Sequence, residues 1–242
     1  MVHTLPDYTS KWKMTELFES ISPAELAARL NSPIKKDRRG FVQYIDNFEG
    51  VSTKWDTASA GVGASTTLNA AYSFEGDASF KLTTGNVANN YAFMRNTFLQ
   101  PSNITMGLAC HVRLDAADCF FNMSQQGFTG TDYYLGTIHI LPDTNELQIL
   151  TDIGVYTSIS LTAIPDIIEE LWLPLKFVID WQNKMYVRAV IGTTEYDLSA
   201  YPLVTFGSAV TPCYRVNLRV QTEANANHTA YVDNVIITTN EG

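Results

Sequence analysis

From residue 41 onward, apolar and polar residues change places at every step in one stretch after another. Leu108, Cys110, Val112 and Leu114 alternate with Ala109, His111 and Arg113; Tyr214, Val216, Leu218 and Val220 alternate with Arg215, Asn217 and Arg219; Phe80 and Leu82 alternate with Ser79 and Lys81. A period of two places one edge of each segment on a core and the other in water, the mark of antiparallel strands. Turn formers separate the runs: Glu75-Gly76-Asp77, Pro142-Asp143-Thr144-Asn145, Gln182-Asn183-Lys184 and Gly192-Thr193. Many short strands with regular turns predict an all-β, two-sheet antiparallel sandwich over 41–242, with Leu108, Cys110, Val112, Phe177, Ile179, Val216 and Leu218 inward. At 242 residues, one such domain can bury a full core. Pro165 to Leu171 is the one expected interruption, a short helical turn.

Residues 1–40 read differently, as an N-terminal arm. Ser22-Pro23-Ala24-Glu25 combines a capping serine, a proline fit for the first turn and a glutamate that completes a capping box, so a short helix is expected over about 23–30. Two helical turns do not stand alone in water. Trp12, Leu17, Phe18, Ile21, Leu26 and Leu30 therefore need a surface, either the chain's own body or another subunit. Lys35-Lys36-Asp37-Arg38-Arg39-Gly40 reads as a basic hinge.

Charge narrows the partners. Residues 1–40 hold seven basic residues against five acidic ones, +2, whereas the 9 basic and 20 acidic residues that follow leave −11. An acidic body disfavours nucleic acid and anionic membranes. No early apolar stretch predicts a signal peptide, and no run is long enough to predict a membrane helix. Cys110, Cys119 and Cys213 cannot all pair within one chain, and no C-x-x-C or Cys/His spacing predicts a metal held through sulfur.

Two sets of residues carry a resemblance. Trp172–Leu198 (WLPLKFVIDWQNKMYVRAVIGTTEYDL) resembles the hairpins of concanavalin A-like and laminin-G-like sandwiches. Tyr44-Ile45-Asp46-Asn47-Phe48-Glu49-Gly50 and Tyr231-Val232-Asp233-Asn234-Val235-Ile236 resemble the first and last strands of jelly-roll carbohydrate-binding modules, which lie near one another there. Ser73–Leu82 is similar to the strand pair between them. The arm, Asp37-Arg38-Arg39-Gly40 and the following DNFEG also resemble the arm-plus-body organisation of tailed-phage virion proteins.

The jelly-roll resemblance implies a structural Ca²⁺ held by Glu49 or Asp46, a backbone carbonyl near Gly76 or Asp77, and Asp233, since Ca²⁺ takes hard oxygen ligands. The competing reading makes these carboxylates caps on nearby backbone N–H groups. The lectin likeness implies sugar or partner contacts through exposed rings, with Tyr133, Tyr134, Trp181 and Tyr186 as candidates beside Tyr91 and Phe93. Alternation from Met185, Val187 and Ala189 puts Tyr186 outward, and of the neighbours Tyr133 and Tyr134 it puts one in and one out. The competing reading makes these rings core or interface.

Catalysis is not expected. The E-x-D-x-x-E strand of the related glucanases is missing, Glu169 and Glu170 are adjacent, and Asp115 and Asp118 flank a turn. There is no G-x-S-x-G, and His3, His111, His139 and His228 are scattered, with His111 and His139 on polar strand positions. Two functions remain. The first is a non-enzymatic virion component, a capsid decoration or auxiliary protein that its arm anchors to capsid subunits or to other copies of itself. The second is a carbohydrate-binding module or adhesin-like lectin domain with a glycan partner.

Overall fold

The computed structural model describes residues 34, 37, 39–50, 54–99, 104–160 and 171–241. The arm residues Trp12, Leu17, Phe18, Ile21, Leu26 and Leu30, the expected helix, Lys35, Lys36 and Arg38 of the hinge, and 165–170 of the expected turn lie outside the described residues.

In chain order the strands are β1 (Phe41–Asp46), β2 (Asp56–Ser59), β3 (Ser65–Asn69), β4 (Ser79–Thr83), β5 (Tyr91–Phe98) and β6 (Thr105–Leu114). Then come β7 (Cys119–Phe128), β8 (Asp132–Leu141), β9 (Glu146–Asp152), β10 (Val155–Ser160) and β11 (Leu173–Asp180). The last are β12 (Met185–Ile191), β13 (Thr194–Asp197), β14 (Val204–Gly207), β15 (Cys213–Thr222) and β16 (Thr229–Thr239). Two 8-stranded sheets result. Sheet A runs β13-β12-β11-β6-β16-β4-β3 with β1 also on β16, and sheet B runs β10-β9-β8-β7-β15-β5-β2 with β14 on β8. Among the described residues every strand pairing is antiparallel, as alternation requires of sheets with one wet face.

The core lies between the sheets and is built from the residues that alternation selects. Leu108, Cys110, Val112, Phe177, Ile179, Val216 and Leu218 are all buried in it. The two resembling end segments meet as expected: β1 pairs β16 from Phe41↔Thr239 to Asp46↔Val235.

Alternation fails at β12. Its partner β11 pairs Val178 with Arg188 and then Ile179 with Tyr186, so one extra residue of β12 sits in a bulge. The bulge reverses the phase, and Ala189 and Tyr186 both face the core. Tyr186 is therefore not outward, as the sequence implies, but fully buried. Its hydroxyl donates to the Leu150 carbonyl at 2.8 Å and accepts from the Thr137 N–H at 2.9 Å.

The outer face of sheet A carries an ionic group instead of solvent. Lys176 of β11 and Arg188 of β12 are buried there between Asp37 and Glu241. Ile34, also buried, accompanies Asp37. The described end of the arm thus rests on its own body.

Candidate functional site

The outer face of sheet B has a different character. Residues that alternate away from the core line up across neighbouring strands, because cross-strand partners sit side by side. One row reads Gln148, His139, Asn122, Arg219, Phe93 and Ala58, from β9 to β2. The next reads Thr137, Ser124, Asn217, Arg95 and Asp56. A third joins Leu135, Gln126, Arg215 and Thr97. Rings close both ends: Phe120 and Tyr91, either side of Gln221, at one end, and Phe206, Tyr133 and Phe128 at the other. Six strands at the usual spacing make a surface about 24 Å across.

Its centre is organised by hydrogen bonds. Thr137 Oγ1 donates to Ser124 Oγ at 3.1 Å, Ser124 Oγ donates to Asn122 Oδ1 at 2.7 Å, and Asn122 Nδ2 faces His139 Nε2 at 2.7 Å. Because the Asn122 oxygen is already an acceptor, its amide donates to His139, which places the imidazole proton on Nδ1. The His139 ring lies between Phe120 and Tyr156, with centroids at 4.6 and 3.9 Å. Burial, with the nearby Arg219 charge adding to it, pushes its pKa down to about 3, so the ring is neutral.

Three arginines give the face its sign. Arg219 lies over Tyr91 at 4.3 Å, Arg95 over Phe93 at 5.7 Å and Arg215 over Phe128 at 4.9 Å, each guanidinium held by a ring in a cation–π arrangement. Burial lowers the pKa of Arg219 against the opposing pull of Tyr91 and Tyr156. Among the described residues, Nε of Arg95, Nε of Arg219 and Oδ1 of Asn217 have no hydrogen-bond partner. The acids of the face, Asp56 on β2 and Glu146 on β9, stand on opposite sides of the sheet. That gap is far wider than the 5–9.5 Å or so of a glycosidase carboxylate pair.

The residues singled out from sequence separate cleanly. Tyr133 is on this face, stacked on Phe128 at 4.7 Å and on Phe206 at 5.1 Å. Tyr134 packs against the core under Lys184, whose Nζ is 4.6 Å from its ring centroid. Trp181 is buried, edge-on to Tyr214 at 5.7 Å and so close over Gly127 that a Cβ there would lie 2.7 Å from the indole. Trp181 and Tyr186 are core rings with no exposed face for a sugar. Sequence alone marks His139 only as a polar strand position and gives no site role to Asn122, Ser124, Arg95 or Arg219. Their signal was present as polar pairs at i and i+2 inside apolar strands, Asn122-Met123-Ser124 and Thr137-Ile138-His139, which one strand by itself gives no reason to join.

Of the two alternatives for the first calcium ligand, Asp46 and Glu49, the structure gives each different partners. Asp46 accepts from the Phe48 N–H at 2.9 Å, the Tyr44 hydroxyl at 3.0 Å and Trp55 Nε1 at 3.0 Å. Glu49 and Asp233 do meet at one turn, around Gly76 with its positive φ of 72°. Glu49 Oε1 accepts from the N–H groups of Asp77 and Ala78, and Asp233 Oδ2 accepts from those of Phe74 and Glu75. These bonds cap the turn, and they are made by the same two carboxylates, at the same turn, that the calcium reading names.

No family model matches the chain, and no curated protein matches it. Solved structures do. The endo-β-1,4-glucuronan lyase of the fungus Trichoderma reesei is 11% identical, with 81% of this chain and 95% of that one covered at a TM-score of 0.57. The metal-free lectin I-B4 of Griffonia simplicifolia is 12% identical (81% and 98% covered, TM-score 0.48), and the β-glucanase of Bacillus licheniformis is 12% identical (81% and 97%, TM-score 0.43). At these identities the likeness is one of fold, and the chain shares the two-sheet antiparallel β-sandwich of the lyase.

Proposed function

We propose that the outer face of sheet B binds an extended carbohydrate chain, and that Arg95, Arg215 and Arg219 favour one bearing carboxylate or sulfate groups. The observation that carries this reading is the face itself: three ring-supported arginines among the half-buried Asn217, Gln221 and Gln148, with rings at both ends. Sugar-binding surfaces need this mixture, since rings cover the apolar faces of a pyranose and amides and hydroxyls meet its hydroxyl groups. A guanidinium pairs a carboxylate or sulfate through two parallel N–H bonds. Arg215 and Arg219, four residues apart on β15, lie about 13 Å from one another, with Arg95 between them on β5. This cationic line belongs to a body, residues 41–242, whose net charge is −11.

The same reading holds that the protein binds without hydrolysing. The separated acids Asp56 and Glu146 give no paired carboxylates, and the acceptor nitrogen of His139 is occupied by Asn122. The particle-component reading draws on the arm, residues 1–40, most of which lies outside the described residues, whereas the glycan reading draws on described side chains.

Titration calorimetry against polyglucuronate, chondroitin sulfate, xylan and a neutral β-glucan tests the proposal. Binding is expected to be strongest for the charged chains, to weaken with salt, and to fall about tenfold or more in Arg219→Gln, the cost of one charge-assisted pair. No binding to any of the four, or binding that Arg219→Gln and Tyr91→Ala leave unchanged, overturns it. Release of shortened or unsaturated chains overturns the non-catalytic part.

A further inference from the structure

At one end of the sandwich, away from the arginine face, a cysteine, a histidine and two aspartates converge from segments far apart in sequence. The turn Asp115–Asp118 joins β6 of sheet A to β7 of sheet B, and Cys119 is the first residue of β7. His228 immediately precedes β16. Backbone pairing forces them together: Asp115 N–H donates to the Thr229 carbonyl at 3.0 Å, and Thr229 N–H donates to Asp115 Oδ1 at 2.7 Å. The ligand atoms of Asp115, Cys119 and His228 then all lie within 4.8 Å of one another.

We propose that Asp115, Cys119 and His228 bind a divalent cation of the zinc class, with Asp118 orienting the histidine. The donor set is one thiolate, one imidazole and one carboxylate, which suits a borderline-soft ion and leaves a fourth position for water. The two faces of the imidazole are divided in the way such a site needs. Nδ1 lies 3.8 Å from Asp115 Oδ1, close to the roughly 3.3 Å that separates two ligands of one tetrahedral ion, while Nε2 lies 3.0 Å from Asp118 Oδ1. A histidine that ligates through one nitrogen ordinarily gives the other N–H to a carboxylate, which fixes its tautomer and direction.

A second observation points the same way. His228 is only 7% exposed, and its buried Nε2 makes no aligned hydrogen bond despite the nearness of Asp118. A buried ring nitrogen left in that state is costly, and an ion on Nδ1 would fix the proton on Nε2 and let a small turn of the ring align it with Asp118. Cys119 is buried while Asp115 is exposed, so an ion enters from the acidic, solvent side.

The test uses the full chain and one equivalent of Co²⁺ or Zn²⁺. Co²⁺ is expected to give a thiolate-to-cobalt charge-transfer band together with the strong visible bands of four-coordination, and Zn²⁺ to displace it and raise Tm. Cys119→Ser is expected to lose the charge-transfer band. Asp118→Asn is expected to keep the band but bind about 10–100-fold more weakly, as the loss of an orienting partner does. Asp115→Asn, on an exposed residue whose change leaves the core untouched, is expected to weaken binding with an unchanged metal-free melt. Absence of the band in the unaltered protein overturns the proposal. So does metal affinity that Asp115→Asn and His228→Gln both leave unchanged, because the ion would then sit elsewhere.

Discussion

Lys176 Nζ lies 2.7 Å from Glu241 Oε1 on the outer face of sheet A, and both side chains are buried. Asp37 reaches the same ammonium at 3.0 Å, and Arg188 contacts both acids, so two cations balance two anions out of water. Burial works against the Asp37 carboxylate, but its bonds to Arg39 and Lys176 prevail and hold its pKa well below the usual carboxylate range. The outlying Arg39–Glu195 pair is exposed and contributes little.

Removing one member of the buried set strands the others. Lys176→Met is expected to cost about 3–5 kcal/mol in urea unfolding, whereas Glu195→Gln, which removes only the exposed outer pair, changes stability by under about 1 kcal/mol. Equal small losses in both variants would show that the inner pairs are as well solvated as the outer one.

Tyr186→Phe keeps the ring and removes one oxygen from a closed site. The Thr137 N–H and the Leu150 carbonyl both lose their partner, so a loss of about 1–3 kcal/mol is expected with no change of fold. A neutral result in thermal melting would mean that water replaces the hydroxyl.

Leu218→Ala opens a void between the sheets, where Leu218 is fully buried. A cost of about 2–5 kcal/mol is expected from chemical denaturation, with the upper part of that range if the strands do not close in.

Two buried groups set opposing pH dependences. His139, with its pKa lowered to about 3, contributes stability that is present above its unfolded value near 6.5 and lost as pH falls toward 3. Asp233 is raised to about 6, by burial first and by Glu49, against the lowering bonds from Phe74, Asn234 and Glu75. Its contribution is fully present below an unfolded pKa near 4 and is lost as pH rises through about 6. His139→Gln is therefore expected to flatten the acid-side loss, and Asp233→Asn to flatten the decline between about pH 4 and 6. NMR titration of the wild-type side chains checks both midpoints directly.

The sequence by itself determined the sandwich and the inward set from Leu108 to Ile179, because period-two alternation is a local pattern that names its own buried side; the meeting of the two end strands was implied by their resemblance to jelly-roll modules. It also indicated that Tyr133 and Tyr134 point opposite ways. It could not place Tyr186, since the β12 bulge that reverses the phase comes from pairing with β11 and leaves no mark in the alternation. The ion group of Asp37, Lys176, Arg188 and Glu241 needs residues more than a hundred positions apart to share one face. Only the tertiary structure decided which polar residues become neighbours. His139, Asn122 and Arg219 form one row because β8, β7 and β15 are adjacent in sheet B, and Cys119 meets His228 because Asp115 pairs with Thr229. Strand order and register are long-range choices, and a site assembled across strands becomes legible only once they have been made.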